Sequence, residues 1–201
     1  MKDILAKYVP EAAVDYCFDL IVHWRVHLQI VNDRKTKHGD YRKEADGKHR
    51  ITVNGGKNKY RFLMTLVHEI AHLTAFEKYG RRIKPHGLEW KHEFRTLMLP
   101  VLNTGVFPAD LLQLLARHLR NPSASDGTDV TLTIAFKQYD PETEYDYLFT
   151  LPYNSFFQTP DGRVFRKVGL IQKLIECTEV QTGRRFKFRP NAEVKQIMHE
   201  K

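Results

Sequence analysis

The sequence predicts an α+β fold: helices with a small antiparallel sheet over residues 1–121, a linker at 122–128, and a small antiparallel β appendage over 129–201. Three observations predict it. Leu63, Leu66, Val67, Ile70 and Leu73 recur at helical spacing through Lys59–Tyr79. Ile51 and Val53 alternate with polar residues in His49–Gly56, which reads as a strand ending in a Gly-Gly turn. Beyond the stretch NPSASDGTD the chain changes to short β-branched and aromatic runs separated by turn signals.

The elements follow in order. Pro10 suits the first position of a helix, and Glu11–Trp24 carries apolar residues at broadly helical spacing. HLQIVNDR comes next, then a polar loop around Lys37–Gly39, then the strand at His49–Gly56. Two strands this close in sequence predict an antiparallel pair. The long helix of Lys59–Tyr79 meets Gly80 as a C-cap. A second helix, Gly87–Leu99, has Trp90, Phe94, Leu97 and Met98 as its buried side, and Pro108–Arg120 is a third amphipathic helix. In the appendage VTLTIAF, YDYLFTL, GRVFRKV, KLIECTEV and RRFKFR read as strands.

Composition bounds the function. With 42% hydrophobic and 28% charged residues, the chain of 201 residues can build a packed core. No apolar run approaches the roughly 18–20 residues that span a bilayer, so no membrane partner is expected. The first residues lack an apolar h-region and a cleavage site, so no signal peptide is expected. Cys17 and Cys177 are too few for a disulfide framework or a four-cysteine metal site, and free thiols suit a reducing cytoplasm. The net charge is +8. Residues 1–121 hold 21 Lys and Arg against 13 Asp and Glu, whereas residues 122–201 hold 11 of each. All the excess positive charge therefore lies in the first part, and it attracts polyanions, nucleic acid first among them.

The chemistry is concentrated at His68-Glu69-Ile70-Ala71-His72, an HExxH sequence. Positions i and i+4 lie one turn apart on one helix face, so both imidazoles can reach one zinc ion. Glu69 sits about 100° further round the helix. From there it can take a proton from an activated water without being a ligand. A catalytic zinc needs three protein ligands and an open fourth position. His86, after a short loop and just before a helix, is the best-placed third ligand. His92 is the rival, but six helical residues amount to about 240° net, so both cannot face one ion from the same helix. Trp90 and Phe94 share the face of His86 and would pack on the zinc helix, which leaves His92 outside.

With HEIAH at His68–His72, HGLEW at His86–Trp90 followed by Lys91, and ITVN at Ile51–Asn54, the chain resembles the SprT-like zinc metallopeptidases, the family that includes the Spartan proteases of DNA–protein crosslink repair. The resemblance covers roughly residues 5–100. It implies a zincin-like metalloprotease domain with one Zn2+ per chain, His86 as third ligand, and protein substrates on or near DNA. The segment Pro108–Asp126 and the β-rich tail look like a bacterial branch of such proteins. Many members carry a four-cysteine zinc ribbon after the protease domain. Here that position holds only Cys177, so the appendage is expected to fold without metal.

Two basic clusters are candidate nucleic-acid contacts: Arg34, Lys35, Lys37, Arg42 and Lys43 around Gly39, and Arg81, Arg82 and Lys84 before His86. Each also reads as a solvated loop. Glu89 has two readings, a hydrogen-bonded support for a ligand histidine or a first-turn acid favoured by the helix dipole. Cys177 sits in an apolar strand pattern and reads as core. His23 and His27 have no partner at ligand spacing. Two other functions compete with a zinc endopeptidase: a basic nucleic-acid-associated protein with a structural zinc, and a zinc hydrolase of a smaller amide. Glu69 argues against the first of these, since a structural site has no use for it.

Overall fold

Helix α3, Lys59–Tyr79, is the centre of the first part of the chain. Asn58 caps it, its side chain accepting from the Arg61 N–H at 2.9 Å while its amide donates to Phe136 O and Asp140. The helix is apolar on nearly every side: Phe62, Leu63, Leu66, Val67, Ile70, Ala71, Leu73 and Ala75 are all buried. Between Arg61 and Phe76 only Thr65, His68, His72 and Phe76 are part-exposed. These four fall on one helical stripe, so the two motif histidines occupy the one line along which this stretch of helix meets solvent. Gly80 ends the helix at φ 79°, a conformation that L side chains rarely adopt, and its N–H bonds Phe76 O.

This is a computed structural model, and it describes residues 1–34, 37–123, 129–141 and 144–198. The fold is α+β, with six α-helices and two sheets among these residues. Two helices precede α3: α1 at Lys2–Tyr8, which the sequence reading did not anticipate, and α2 at Val14–His23, entered through a 3₁₀ turn at Glu11–Ala13. Three strands follow α2: β1 at Val26–Val31, β2 at Gly39–Lys43 and β3 at His49–Asn54, in the order β1-β3-β2. Ile51 and Val53 of β3 are fully buried, and α3 packs on β2 and β3.

The two apolar strands do not form the expected antiparallel pair. β1 and β3 run parallel, with Leu28 opposite Ile51 and Ile30 opposite Val53. The reason is β2, which reverses the chain once more. It lies in the stretch read as a polar loop and pairs antiparallel to β3, Tyr41 opposite Ile51.

Helix α4, Leu88–Met98, buries Trp90, Glu93, Phe94 and Met98 against α3. Lys78 and Tyr79 at the end of α3 bond the buried Glu93 carboxylate at 2.8 and 3.3 Å. Helix α5, Ala109–His118, buries Leu111 and Leu115. A second correction concerns VTLTIAF, read as a strand. Val130–Lys137 is helix α6, capped by Asp129, which accepts from the Leu132 N–H. Leu132, Ala135 and Phe136 are buried at helical spacing, so the cap and tertiary packing override the β propensity of the branched residues. The chain divides into compact units Met1–Pro141 and Glu142–Lys201, so α6 belongs to the first unit. Most of the expected 122–128 linker lies outside the described residues.

The second unit is one antiparallel sheet: β4 at Asp146–Tyr147, β5 at Phe156–Gln158, β6 at Val164–Ile171, β7 at Leu174–Glu179, β8 at Arg185–Phe188 and β9 at Glu193–Ile197. Its order is β4-β9-β5-β6-β7-β8. Leu148, Phe157, Phe165, Ile175, Cys177 and Val194 form its core. Burial pushes the Cys177 thiol up to about 12, which suits an inert core residue. Lys167 is buried too, and its ammonium donates to the carbonyls of Leu148, Phe149 and Leu151. No helix among the described residues is long and apolar enough to cross a membrane.

Candidate metal centre

The exposed stripe of α3 presents His68 and His72, and the loop between α3 and α4 brings His86 back to them. The Nε2 atoms form a triangle, 3.2 Å from His68 to His72, 3.2 Å from His68 to His86 and 2.9 Å from His72 to His86. A neutral imidazole Nε2 offers either one proton or one lone pair, so three such atoms cannot all hydrogen-bond one another. A tetrahedral ion at 2.0–2.1 Å from each would separate its ligand atoms by about 3.3–3.4 Å. The triangle fits that demand closely. The three histidines can therefore hold a metal ion, and no fourth His, Cys, Asp or Glu joins them among the described residues.

The chain holds this arrangement by packing. Trp90, fully buried, lies against all three imidazoles with ring centroids 4.6, 5.4 and 4.7 Å from those of His68, His72 and His86. It stacks on Phe94 and directs its indole N–H toward His68 O at 3.4 Å. The sequence marks Trp90 and Phe94 as a buried helix side but does not reveal that the indole floors the site. His86 has φ 58°, in the left-handed region, which a histidine tolerates better than a branched residue. His92 is exposed on α4 and stands outside the cluster.

Burial and the neighbouring imidazoles of His72 and His86 hold His68 well below the ordinary imidazole range. Burial lowers His72 to about 4 and lowers His86 as well. The neutral, metal-binding form therefore persists below the ordinary value of 6.5. Metal content measured against pH should hold below 6.5 and fall away only toward about 4. Loss centred above 6.5 would contradict a set of buried neutral ligands.

Glu69 occupies the next position on α3 and is 6% exposed. It faces the start of β2 rather than the imidazoles. A Cβ added at Gly39 would stand 2.7 Å from Glu69 Cγ and 2.8 Å from Thr65 Cγ2, so only glycine lets the strand pass this close. Burial pushes the Glu69 carboxyl up to about 8, helped by Asp40 and opposed by Arg34, Lys37 and a hydrogen bond from the Tyr41 backbone. A cation on the histidines would oppose this rise further.

The basic clusters separate into different roles. Arg34 turns its guanidinium inward, to Asn54 Oδ1 and Thr52 Oγ1 at 2.9 Å each. Lys37 and Arg42 both pair with Asp40 at 2.8 Å, and Lys43 pairs with Glu77 at 2.7 Å. Lys35 lies outside the described residues. Arg81, Arg82 and Lys84 are exposed on the loop that carries His86, and none pairs with an acid among the described residues. Arg81 lies over the Phe76 ring. Glu89 lies in the first turn of α4, where a Cβ added at Gly87 would stand 3.1 Å from its Oε2.

Residues 11–106 match the SprT-like family. This stretch belongs to that family. The SprT-like match takes in α2, the three-stranded sheet, α3 and α4, and so contains both histidine segments. The chain is also similar to proteins named Protein SprT from Pseudomonas fluorescens (strain SBW25) and Pseudomonas aeruginosa (strain LESB58). Each is 50% identical over 36 residues, 17% of this chain and 22% of the relative. The chain thus spans about a fifth of the length of these curated relatives. No solved structure matches the chain significantly.

Proposed function

We propose that the chain is a zinc-dependent metalloendopeptidase with a zincin-like first domain, in which His68, His72 and His86 hold the ion and Glu69 is the general acid and base. The observation that carries this reading is the convergence of three imidazole nitrogens at the solvent-facing stripe of α3, with the buried carboxylate of Glu69 at the next position of the same helix. Zinc, when bound, supplies Lewis-acid activation of water and of a carbonyl oxygen. Glu69 takes the proton of the attacking water and returns it to the leaving amine. Three protein donors, with no fourth among the described residues, favour a catalytic over a structural site. β2 is an edge strand beside Glu69, and its outer backbone groups can hold an extended peptide by main-chain bonds. That edge favours a protein substrate over a small amide. Metal-loaded protein should therefore cut unfolded casein; cleavage of small amides alone would sink the endopeptidase reading.

Action on or near DNA rests on the exposed Arg81, Arg82 and Lys84 on the His86 loop, which pair with no acid among the described residues. If these residues meet phosphates, DNA affinity falls steeply with salt, with a log–log slope near −0.9 per phosphate neutralised. Reversing all three to Glu should weaken binding and flatten that slope by about three. Reversing the acid-paired Arg42 and Lys43 should change it less. Binding indifferent to salt and to the triple reversal would refute the electrostatic contact. The proposed setting is the cytoplasm.

A further inference from the structure

Glu69 follows His68 on α3, and its side chain packs against bare backbone. That backbone is Gly39–Tyr41 of β2, whose main chain passes against the Glu69 side chain with no room for a Cβ at 39. What fixes the strand at that distance lies just upstream. Asn54, the last residue of β3, is 3% exposed. Its Oδ1 accepts from Arg34 Nε at 2.9 Å. Its Nδ2 donates to Lys37 O at 3.0 Å and Arg34 O at 3.4 Å. Its backbone N–H donates to His38 O at 2.9 Å. Arg34 completes the bracket through Thr52 Oγ1 at 2.9 Å and His38 O at 3.5 Å. One buried amide and one guanidinium thus bond the backbone at residues 34, 37 and 38, the approach to Gly39.

A buried asparagine whose acceptor and both amide donors are all used is a rigid joint, because moving the loop would strand several polar groups away from water at once. Such a joint would do little for a metal held by His68 and His72 of α3 and by the His86 loop. It bears on Glu69 through the strand it aims. We propose that Asn54 and Arg34 are positioning residues for Glu69: their clasp fixes the register and distance at which Gly39–Tyr41 lies against the carboxylate. This rests on the reading of Glu69 as the general base. It also gives Arg34 a different role from the phosphate contact that its place in a basic cluster suggests.

The test uses the full-length protein with Arg34→Ala, Asn54→Ala and Arg34→Lys. Zinc content and melting temperature establish that each variant is folded and loaded. Amide hydrogen exchange at residues 39–41 reads the strand, and the side-chain ¹³Cδ resonance of Glu69, assigned by its loss in Glu69→Gln, reads the carboxylate. Casein cleavage reads the chemistry. In both alanine variants zinc should remain, exchange at 39–41 should quicken and the Glu69 resonance should move. With KM nearly unchanged, kcat should fall roughly 10–100-fold, the scale of a small misplacement of a reacting group. Arg34→Lys keeps the charge without the fork and should recover only part of the rate. Unchanged exchange and an unmoved Glu69 resonance would overturn the clasp, as would full kcat in Asn54→Ala. If Asn54→Ala does not fold, Arg34→Ala decides by the same readings. If the wild type cuts nothing, the proposed function fails, while exchange and the Glu69 resonance still decide the clasp.

Discussion

Glu69→Gln is expected to keep its metal and lose at least roughly 10²–10⁴-fold in cleavage rate, the range associated with a general acid–base group. The amide matches the carboxylate in size and can still accept the backbone hydrogen bond from Tyr41, but it cannot take a proton at neutral pH. The same variant makes a second, opposite claim about stability. In the metal-free protein burial raises Glu69 to about 8, so the folded state disfavours the charged form. A raised folded value means that stability is fully present below the unfolded value of about 4.5 and declines as pH rises toward about 8. Gln does not titrate. Metal-free Glu69→Gln should therefore gain on wild type as pH rises through that window and show no such gain below it. Thermal melting with chelator present, at pH 4 and pH 8, reads the difference. Equal cleavage by the variant and the wild type would refute the role of Glu69.

Loss of His86 should have the next largest effect. At φ 58° alanine would be strained as well as ligand-free, so His86→Asn is the cleaner change: asparagine tolerates the left-handed region but falls short of the ion. Removing one of three donors should weaken metal binding at least about 100-fold, beyond the 10–100-fold typical of losing a supporting residue. His92→Asn, on the exposed side of α4, should leave affinity unchanged. Isothermal titration with zinc separates the two. Equal affinity in His86→Asn and wild type would remove His86 from the ligand set.

The parts of this architecture that the sequence reveals are those with a strong local period. The span of α3, the Gly80 terminus, the buried Trp90 and Phe94 and the placing of His68, His72 and His86 all follow from helical spacing plus one short loop. The parts it conceals depend on pairing across the sheet. β2 reads as a loop because Gly-Asp-Tyr-Arg-Lys has little apolar content. Its side chains make ion pairs with residues near and far, while its backbone completes the sheet and turns the expected antiparallel pair into a parallel one. Helix α6 is hidden by Val130, Thr131, Thr133 and Ile134, whose branched side chains favour strands until Asp129 caps the turn and Leu132 and Phe136 find the core. Arg34 is the sharpest instance. In sequence it is one base among five, and only the fold places it on Asn54 and Thr52 instead of in solvent. Charge clusters report a field, whereas the partner of each charge is a tertiary fact.

Metal removal and restoration test the zinc-peptidase claim most directly. The protein would be stripped with chelator, its zinc content measured, and casein cleavage followed before and after one equivalent of zinc is returned, with and without DNA. About one zinc per chain is expected in the active protein, with no cleavage in the stripped form and recovery at one equivalent of zinc. Undiminished cleavage by protein shown to be free of metal, or full zinc loading with no cleavage of any protein substrate, would contradict a zinc peptidase.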